Sequence, residues 1–177
     1  MITTLIDNAA SATVKGAELE MVAQITEAFG ADLGIGYIDG KYGRLSARNG
    51  AVPGNPLTDM TGNDLPRAPE WTVNAGVSYT MQLANIGELQ SRAEWSHTAK
   101  QYFTPFNEDI SMQSSYSVVN LIMSLEMDDS PLSFRGYVRN LFDKDYRSGG
   151  FTSGIMFFAR GNWAPPRTVG VELTAKF

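Results

Sequence analysis

The fold of this chain is decided by the stretch WTVNAGVSYTMQL, which runs from Trp71 to Leu83. Its odd-numbered positions carry apolar side chains, and its even-numbered positions carry polar side chains or glycine. Because successive side chains of a β-strand point to opposite faces, this period of two predicts a strand with one apolar and one polar face. The same alternation recurs in 88–99, 118–127, 132–139 and 168–177. The sequence therefore predicts an all-β, mostly antiparallel fold.

One segment, AELEMVAQITEAF (Ala17–Phe29), fits two kinds of secondary structure. It is rich in good helix formers and can be interpreted as an amphipathic helix. As a strand, it would place Leu19 and Met21 on one face and Glu18 and Glu20 on the other. Both interpretations remain open at this point, and the neighbouring strands favour the strand.

Length and composition exclude several classes of protein. The 177 residues are 43% hydrophobic and 19% charged, which suits one folded domain and not a disordered chain. The net charge of −5, without a basic cluster, argues against nucleic-acid binding. The absence of cysteine removes disulfides, zinc–thiolate sites and cysteine nucleophiles. No apolar run approaches the ~18 residues of a transmembrane helix.

The connections between the predicted strands are of two kinds. Short turns are predicted at 29–32, 84–87 and 128–131, and long polar loops at roughly 44–69, 103–115 and 143–164. Counting gives about eight strands, beginning near Ile2–Ile6. The strands are long, at about 10–14 residues against a usual five or six in soluble proteins.

Two architectures share this alternation, a transmembrane β-barrel and a soluble β-sandwich that binds a ligand through its long loops. A tilted strand needs about 9–11 residues to cross a membrane, and outer-membrane barrels have short turns at one end and long loops at the other. Aromatic residues near the strand ends also suit the two interfacial girdles of a barrel. These residues are Trp71, Tyr79, Tyr102, Phe103, Tyr116, Trp163 and Phe177. The pattern favours the barrel and leaves the sandwich open.

Five stretches resemble the C-terminal part of TonB-dependent outer-membrane receptors, in particular those of the siderophore-receptor type. They occur in the family's order and span nearly the whole chain. The stretches are VKGAELE (Val14–Glu20), GNDLPRAPEWTVNAGVSY (Gly62–Tyr79), YSVVNLIMSL (Tyr116–Leu125), RNLFDKDY (Arg139–Tyr146) and PPRTVGVELTAKF (Pro165–Phe177).

The resemblance implies a barrel of about 22 strands in the bacterial outer membrane, with short periplasmic turns and long extracellular loops. Such receptors import ferric siderophores or a similar scarce nutrient, with the TonB energy-transducing protein, outer-membrane lipid and the barrel-assembly machinery as partners and no cofactor. Twenty-two strands of about 10 residues need roughly 220 residues, and the sequence shows no plug domain, TonB box or signal peptide. Residues 1–177 are therefore expected to be the C-terminal part of the barrel, unable to transport alone. A self-contained eight-stranded outer-membrane barrel with a structural or adhesion role is the alternative.

Arginines in or beside the predicted long loops are the candidate ligand-binding residues. A guanidinium group pairs with carboxylate or catecholate oxygens as a fixed fork, which suits anionic ferric chelates. Each arginine, taken alone, also fits the alternative that it is a charged loop residue in contact with solvent. They are Arg44, Arg48, Arg67, Arg147 and Arg160.

Charged residues also follow the polar face of the strands, where they are expected to pair with one another or with a plug. These are Glu18, Glu20, Arg92, Glu94, Arg135, Arg139, Glu172 and Lys176. The terminal Phe177 resembles the signal that the barrel-assembly machinery recognises. His97 is the only histidine and has no ligand-spaced partners, so no metal site is expected. No catalytic constellation is present, and the sequence predicts a protein that is not an enzyme.

Overall fold

The computed structural model describes residues 11–50, 52–153 and 158–176. These residues form antiparallel strands and a single short turn of 3₁₀ helix, Asp109–Ser111. The strands are β1 (Ala12–Gln24), β2 (Phe29–Tyr42), β3 (Ser46–Arg48), β4 (Leu57–Asp59), β5 (Trp71–Leu83), β6 (Gly87–Thr98), β7 (Gln101–Tyr102), β8 (Met112–Gln113), β9 (Tyr116–Met127), β10 (Leu132–Arg139), β11 (Arg147–Ser153), β12 (Phe158–Trp163) and β13 (Thr168–Ala175). The described residues contain no helix that is long and apolar enough to cross a membrane.

Seven of the strands form one sheet in the order β1-β2-β5-β6-β9-β10-β13. Each strand pairs antiparallel with its neighbours, so the chain runs up and down across the sheet. Within the described residues, β1 and β13 each have a neighbour on one side only, so the sheet is open at both edges. The strand that the sequence predicts near Ile2–Ile6 lies outside the described residues.

The strand register carries both faces of β5 across the sheet. On one side of the sheet, Val77 aligns with Ala93 of β6, which aligns with Leu121 of β9. On the other side, Gly76 aligns with Asp32 of β2 and Glu94 of β6. We call these two surfaces the apolar face and the polar face. The antiparallel all-β architecture and its two faces are confirmed.

The apolar face has no second sheet packed on it in the described part of the chain. Its large side chains remain open, with 52% of Met123 and 62% of Leu173 exposed. A β-sandwich buries such a face against the inner face of its second sheet. The architecture therefore favours the barrel over the sandwich.

The ambiguous segment Ala17–Phe29 is a strand followed by a turn. Strand β1 continues to Gln24, and β2 already begins at Phe29, whose N–H donates to Thr26 Oγ1 at 3.0 Å. The turn predicted at 29–32 is therefore wrong, because the chain reverses at 25–28. Gly30 does not turn the chain; it lies in β2 against β5, where a Cβ would stand 2.8 Å from Ser78 Oγ.

Short and long connections alternate along the whole sheet. The short connections are 25–28, 84–86 and 128–131, and the long ones are 43–70, 99–115 and 140–167. The other two predicted turns and all three predicted long loops are confirmed. All long connections lie at one end of the sheet, the long-loop end, and three two-stranded ribbons, β3–β4, β7–β8 and β11–β12, form within them.

The buried side chains lie in these connections and not in the strands of the sheet. Met60 is 2% exposed and Phe103 is 8% exposed, and the polar residues Thr104, Ser111 and Gln113 of the second long connection are also buried. Phe103 was expected in an aromatic girdle, and this prediction is wrong, because its ring packs against the backbone of β11 within the loops.

Two further aromatic residues show where the girdle prediction succeeds and fails. Trp71 lies on the apolar face beside Tyr37, with ring centroids 4.7 Å apart, as an interfacial girdle requires. Tyr116 aligns with Thr98 on the polar face and stacks on Tyr146, so it is not part of the girdle.

Candidate functional site

The three long connections are joined to one another by hydrogen bonds, and we call them together the loop cluster (43–70, 99–115 and 140–167). Between the first two connections, the Arg67 N–H donates to the carbonyl of Tyr102 at 2.8 Å. Asn63 Nδ2 donates to the Pro105 carbonyl at 2.9 Å, and the Asp64 N–H donates to Asn107 Oδ1 at 2.7 Å. Hydrogen bonds of the Asn63 and Asn107 side-chain amides therefore hold these two irregular connections together.

Arg147 ties the third connection to the second. Its backbone N–H donates to Gln113 Oε1 at 2.8 Å, and its Nη1 donates to the carbonyl of Ile110 at 2.9 Å. Its Nη2 donates to the carbonyl of Met112. The guanidinium group of Arg147 is therefore bound to the backbone of the second connection, which gives this arginine a structural role.

The other predicted arginines fall into two groups. Arg44 and Arg48 are exposed at the β3–β4 ribbon, and Arg48 Nη1 donates to the Asn55 carbonyl at 3.1 Å. Arg67 and Arg160 are exposed beside the β11–β12 ribbon; Arg67 Nη2 lies 3.4 Å from where a Cβ on Gly149 would stand. The structure thus gathers Arg67, Arg147 and Arg160 at one ribbon and separates Arg44 and Arg48 from them. Phe177 lies outside the described residues.

On the polar face, the charged side chains of the central strands pair with one another as expected. Arg92 of β6 contacts Asp32 of β2 at 2.8 Å and Glu94 at 2.9 Å. It reaches Asp32 across β5 because the intervening residue is Gly76, where a Cβ would stand 2.4 Å from the guanidinium. In the described residues no group of three or more His, Asp or Glu side chains could hold a metal ion.

A cavity of about 490 Å³ opens on the polar face under the third long connection. Its wall contains a pair of parallel tyrosine rings, Tyr116 of β9 and Tyr146, with centroids 4.1 Å apart and planes inclined by 16°. Arg139, the last residue of β10, also lines it, together with hydroxyl and amide side chains. These polar lining residues are Ser96, Thr98, Asn120, Asn140 and Thr168.

The stretch RNLFDKDY builds this cavity by a local turn. Asn140 is buried and has a φ of 52°, and its Oδ1 accepts the N–H of Lys144 at 2.8 Å. Its Nδ2 donates to the Lys144 carbonyl at 3.0 Å, and its own N–H donates to Asn120 Oδ1 at 3.0 Å. The turn brings the chain back over β9, so that Tyr146 stacks on Tyr116.

The electrostatics of the cavity are set by one cation and two phenols. Burial, and to a smaller extent the neighbouring Tyr116, raise the pKa of Tyr146 above its ordinary value. Its hydroxyl therefore stays protonated at neutral pH and can donate a hydrogen bond. The sequence pattern places Arg139 among the charge pairs of the polar face and Tyr116 in the girdle, and it does not predict the cavity. The signal that could have found it is that Tyr116 shares its even numbering with Asn120 on the polar face.

Comparison with known proteins identifies the family. Residues 2–141 match the family model of the TonB-dependent receptor-like β-barrel. This match covers well over half of the 177 residues, so the chain belongs to that family. It is a family of receptors and transporters and not of enzymes.

Solved structures show the same fold at low sequence identity. The ferric yersiniabactin uptake receptor of Yersinia pestis is 22% identical over 94% of this chain, with a TM-score of 0.77. A siderophore receptor of Acinetobacter baumannii and the ferric preacinetobactin receptor of the same organism are each 19% identical over 92% of the chain, with TM-scores of 0.71 and 0.69. The chain spans 24%, 21% and 22% of these three proteins, respectively, and so corresponds to a portion of their length.

Proposed function

We propose that residues 1–177 form the C-terminal part of the β-barrel of an outer-membrane receptor that imports a ferric siderophore or a similar scarce nutrient. The observation that carries this proposal is the open seven-stranded sheet with an exposed apolar face and a charge-paired polar face. The family match and the likeness to three siderophore receptors support it.

In this proposal the apolar face contacts outer-membrane lipid and the polar face lines the interior of the barrel. The long-loop end lies outside the cell, and the short turns lie in the periplasm. The pairing of Tyr37 with Trp71 on the apolar face, near the long-loop end, supports this orientation because aromatic residues favour the membrane interface. The exposed arginines of the loop cluster then face the medium from which an anionic chelate arrives.

A self-contained eight-stranded barrel is less well supported. It would require the two edges of the sheet to meet, whereas in the described residues β1 pairs only with β2, and β13 only with β10. The edge strands fit further strands of a larger barrel, since lipid offers no partner for unpaired backbone groups.

The proposal also assigns partners. The intact receptor would be energised by the TonB protein, and Phe177 would be recognised by the barrel-assembly machinery. Alone, residues 1–177 would not transport, because an open sheet encloses no passage.

Uptake of radioactive iron tests this function. The complete gene product is expressed in cells that lack their own siderophore receptors, and a panel of ferric siderophores is supplied. We expect uptake of at least one chelate, abolished by deletion of the TonB gene, and no uptake in cells that express residues 1–177 alone. Uptake that persists without TonB, or that residues 1–177 support by themselves, would contradict the proposal.

A further inference from the structure

We propose that Asn49 is a site of deamidation, which the closed loop cluster suppresses and which, once it has occurred, weakens the attachment of the β3–β4 ribbon to the second long connection. Asn49 directly follows β3, and with Gly50 it forms the only Asn-Gly pair in the sequence. The modification uses residues of this chain and water alone, so it does not depend on which ligand the protein binds.

The side chain of Asn49 joins two of the long connections. Its Nδ2 donates to Glu108 Oε1 at 2.5 Å, although the two residues are 59 positions apart in the sequence. Asn49 is 3% exposed, and its backbone N–H donates to the carbonyl of Pro56, directly before β4, at 2.9 Å. Asn49 is therefore held through both its backbone and its side chain, and it links the β3–β4 ribbon to 99–115.

Deamidation of Asn49 proceeds through the backbone nitrogen of Gly50. This nitrogen attacks Asn49 Cγ and forms the new C–N bond of a five-membered succinimide, while the bond from Cγ to Nδ2 breaks. Nδ2 leaves as ammonia, with the proton that the Gly50 nitrogen loses. Water then opens the ring and leaves an aspartate or an isoaspartate. Gly50 favours the attack because it has no Cβ to shield its nitrogen and has wide backbone freedom.

The contact with Glu108 suppresses this reaction in the closed loop cluster. A carboxyl oxygen that accepts from Nδ2 fixes the side-chain torsion of Asn49 and makes Cγ less electrophilic, and burial keeps water from the ring that would form. A hydrogen bond to a charged group stabilises the amide enough to slow its loss by about 10- to 100-fold. We therefore expect Asn49 to react when the first two long connections separate.

The product cannot restore the contact that protected the amide. Deamidation replaces the Nδ2 donor of Asn49 by a carboxylate oxygen, which then faces Glu108 at hydrogen-bond distance. Two acceptors cannot form a hydrogen bond, and two like charges repel strongly where water is excluded. The hydrogen bonds of Asn63, Asp64 and Arg67 with the second connection do not involve Asn49. The ribbon should therefore loosen while 63–67 stays attached.

The rate of deamidation tests the protective role of Glu108. The complete gene product in detergent is aged at neutral pH, and the tryptic peptide 49–67 is analysed by mass spectrometry for aspartate and isoaspartate. Glu108→Leu removes the acceptor and should speed the reaction at Asn49 by about 10- to 100-fold. Glu108→Gln is the matched control, because its side-chain oxygen can still accept from Nδ2, and it should react nearly as slowly as the wild type.

The same peptide contains two internal controls. Asn55 precedes Pro56, whose nitrogen has no proton to lose, so Asn55 should not react by this route. Asn63 precedes Asp64 and reports any general opening of the first connection. Equal rates at Asn49 in the wild type and Glu108→Leu, or an equal acceleration at Asn63, would overturn the inference. So would a lack of reaction at Asn49 in Glu108→Leu.

A variant that carries the product tests the consequence. Asn49→Asp should speed hydrogen exchange of the β3–β4 backbone N–H groups by about 10-fold. Asn55→Asp adds the same charge at an exposed position of this connection and should leave exchange unchanged. The double variant Asn49→Asp/Glu108→Gln should slow exchange again, because the new amide can donate to the new carboxylate with the roles reversed. Unchanged exchange in Asn49→Asp, or no recovery in the double variant, would overturn the inference.

Discussion

Replacement of Gly87 by alanine should destabilise the sheet far more than the same change at Gly136. Gly87 begins β6 directly after the turn 84–86 and has a φ of 146°, a conformation that side chains disfavour. A Cβ there would stand 1.9 Å from the Glu126 carbonyl oxygen and 2.8 Å from the Met127 Cα. Both are backbone atoms of β9, so rotation of a side chain cannot relieve the contact.

The expected magnitude follows from two contributions. An unfavourable backbone conformation costs about 1–3 kcal/mol, and forcing apart two packed strands costs about 1–3 kcal/mol more. Gly87→Ala should therefore lower the free energy of unfolding by about 2–6 kcal/mol. At Gly136 a Cβ would meet no atom within 4 Å, so Gly136→Ala should be neutral or stabilise by about 0.4–1 kcal/mol through the unfolded chain.

Denaturant unfolding of the complete gene product in detergent micelles measures this difference. Tryptophan fluorescence reports the transition, because Trp71 and Trp95 lie on adjacent strands of the sheet. The two midpoints should separate clearly, with Gly136→Ala at or above the wild type. Single surface changes usually alter the free energy of unfolding by less than about 1 kcal/mol. If the free energies of unfolding of Gly87→Ala and Gly136→Ala differ by no more than this, the close pairing of β6 with β9 at this position is refuted.

Further predictions concern the loops and the end of the chain. Asn140→Ala should destabilise by about 2–3 kcal/mol, because it leaves the N–H and carbonyl of Lys144 unpaired; Asn140→Gly, which tolerates the positive φ, should cost less in the same unfolding assay. The hydroxyl and N–H of Thr61 both donate to Asp59 and lower the pKa of that carboxyl below its ordinary 3.8. The contribution of this turn should therefore be present above that ordinary value and be lost as pH falls through the lowered pKa. A carboxyl-carbon nuclear magnetic resonance titration measures the shift, and Thr61→Ala should return the pKa toward 3.8; an unchanged pKa would contradict the hydrogen bonding. Phe177→Ala should reduce the amount of receptor in purified outer membranes without reducing synthesis, and an undiminished amount would exclude an assembly role.

The sheet could be predicted from sequence because one physical rule governs all of its strands. Each strand has water or other polar groups on one face and an apolar environment on the other, so alternation in Trp71–Leu83 repeats in its neighbours. Ala17–Gln24 forms a strand although it is rich in strong helix formers. Pairing of every residue of β1 with β2 outweighs this weak local propensity. The predicted turn at 29–32 is wrong because Gly30 suggests a chain reversal. In the structure, Gly30 lies within β2 and allows this strand to approach β5 closely.

The cavity could not be predicted from sequence, because it depends on how a connection folds back. Arg139 and Tyr146 lie in one stretch of sequence, but Tyr116 begins β9 and precedes them by two strands and a turn. The hydrogen bonds of Asn140, at a positive φ, fold the chain back so that the two tyrosine rings come into contact. Phe103 was misplaced for the same reason, since a hydrophobic residue in a long connection can be buried there as well as at a membrane interface.

Because hydrogen bonds join the three connections of the loop cluster, these connections form one structural unit and not three independent ones. A chimaera that exchanged 140–167 alone would lose the hydrogen bond from Arg147 to the backbone of 99–115. A chimaera that exchanged 99–115 alone would lose the hydrogen bond from the Asp64 N–H to Asn107. Chimaeras of this chain should therefore fold most often when all three connections are exchanged together and the strands of the sheet are kept.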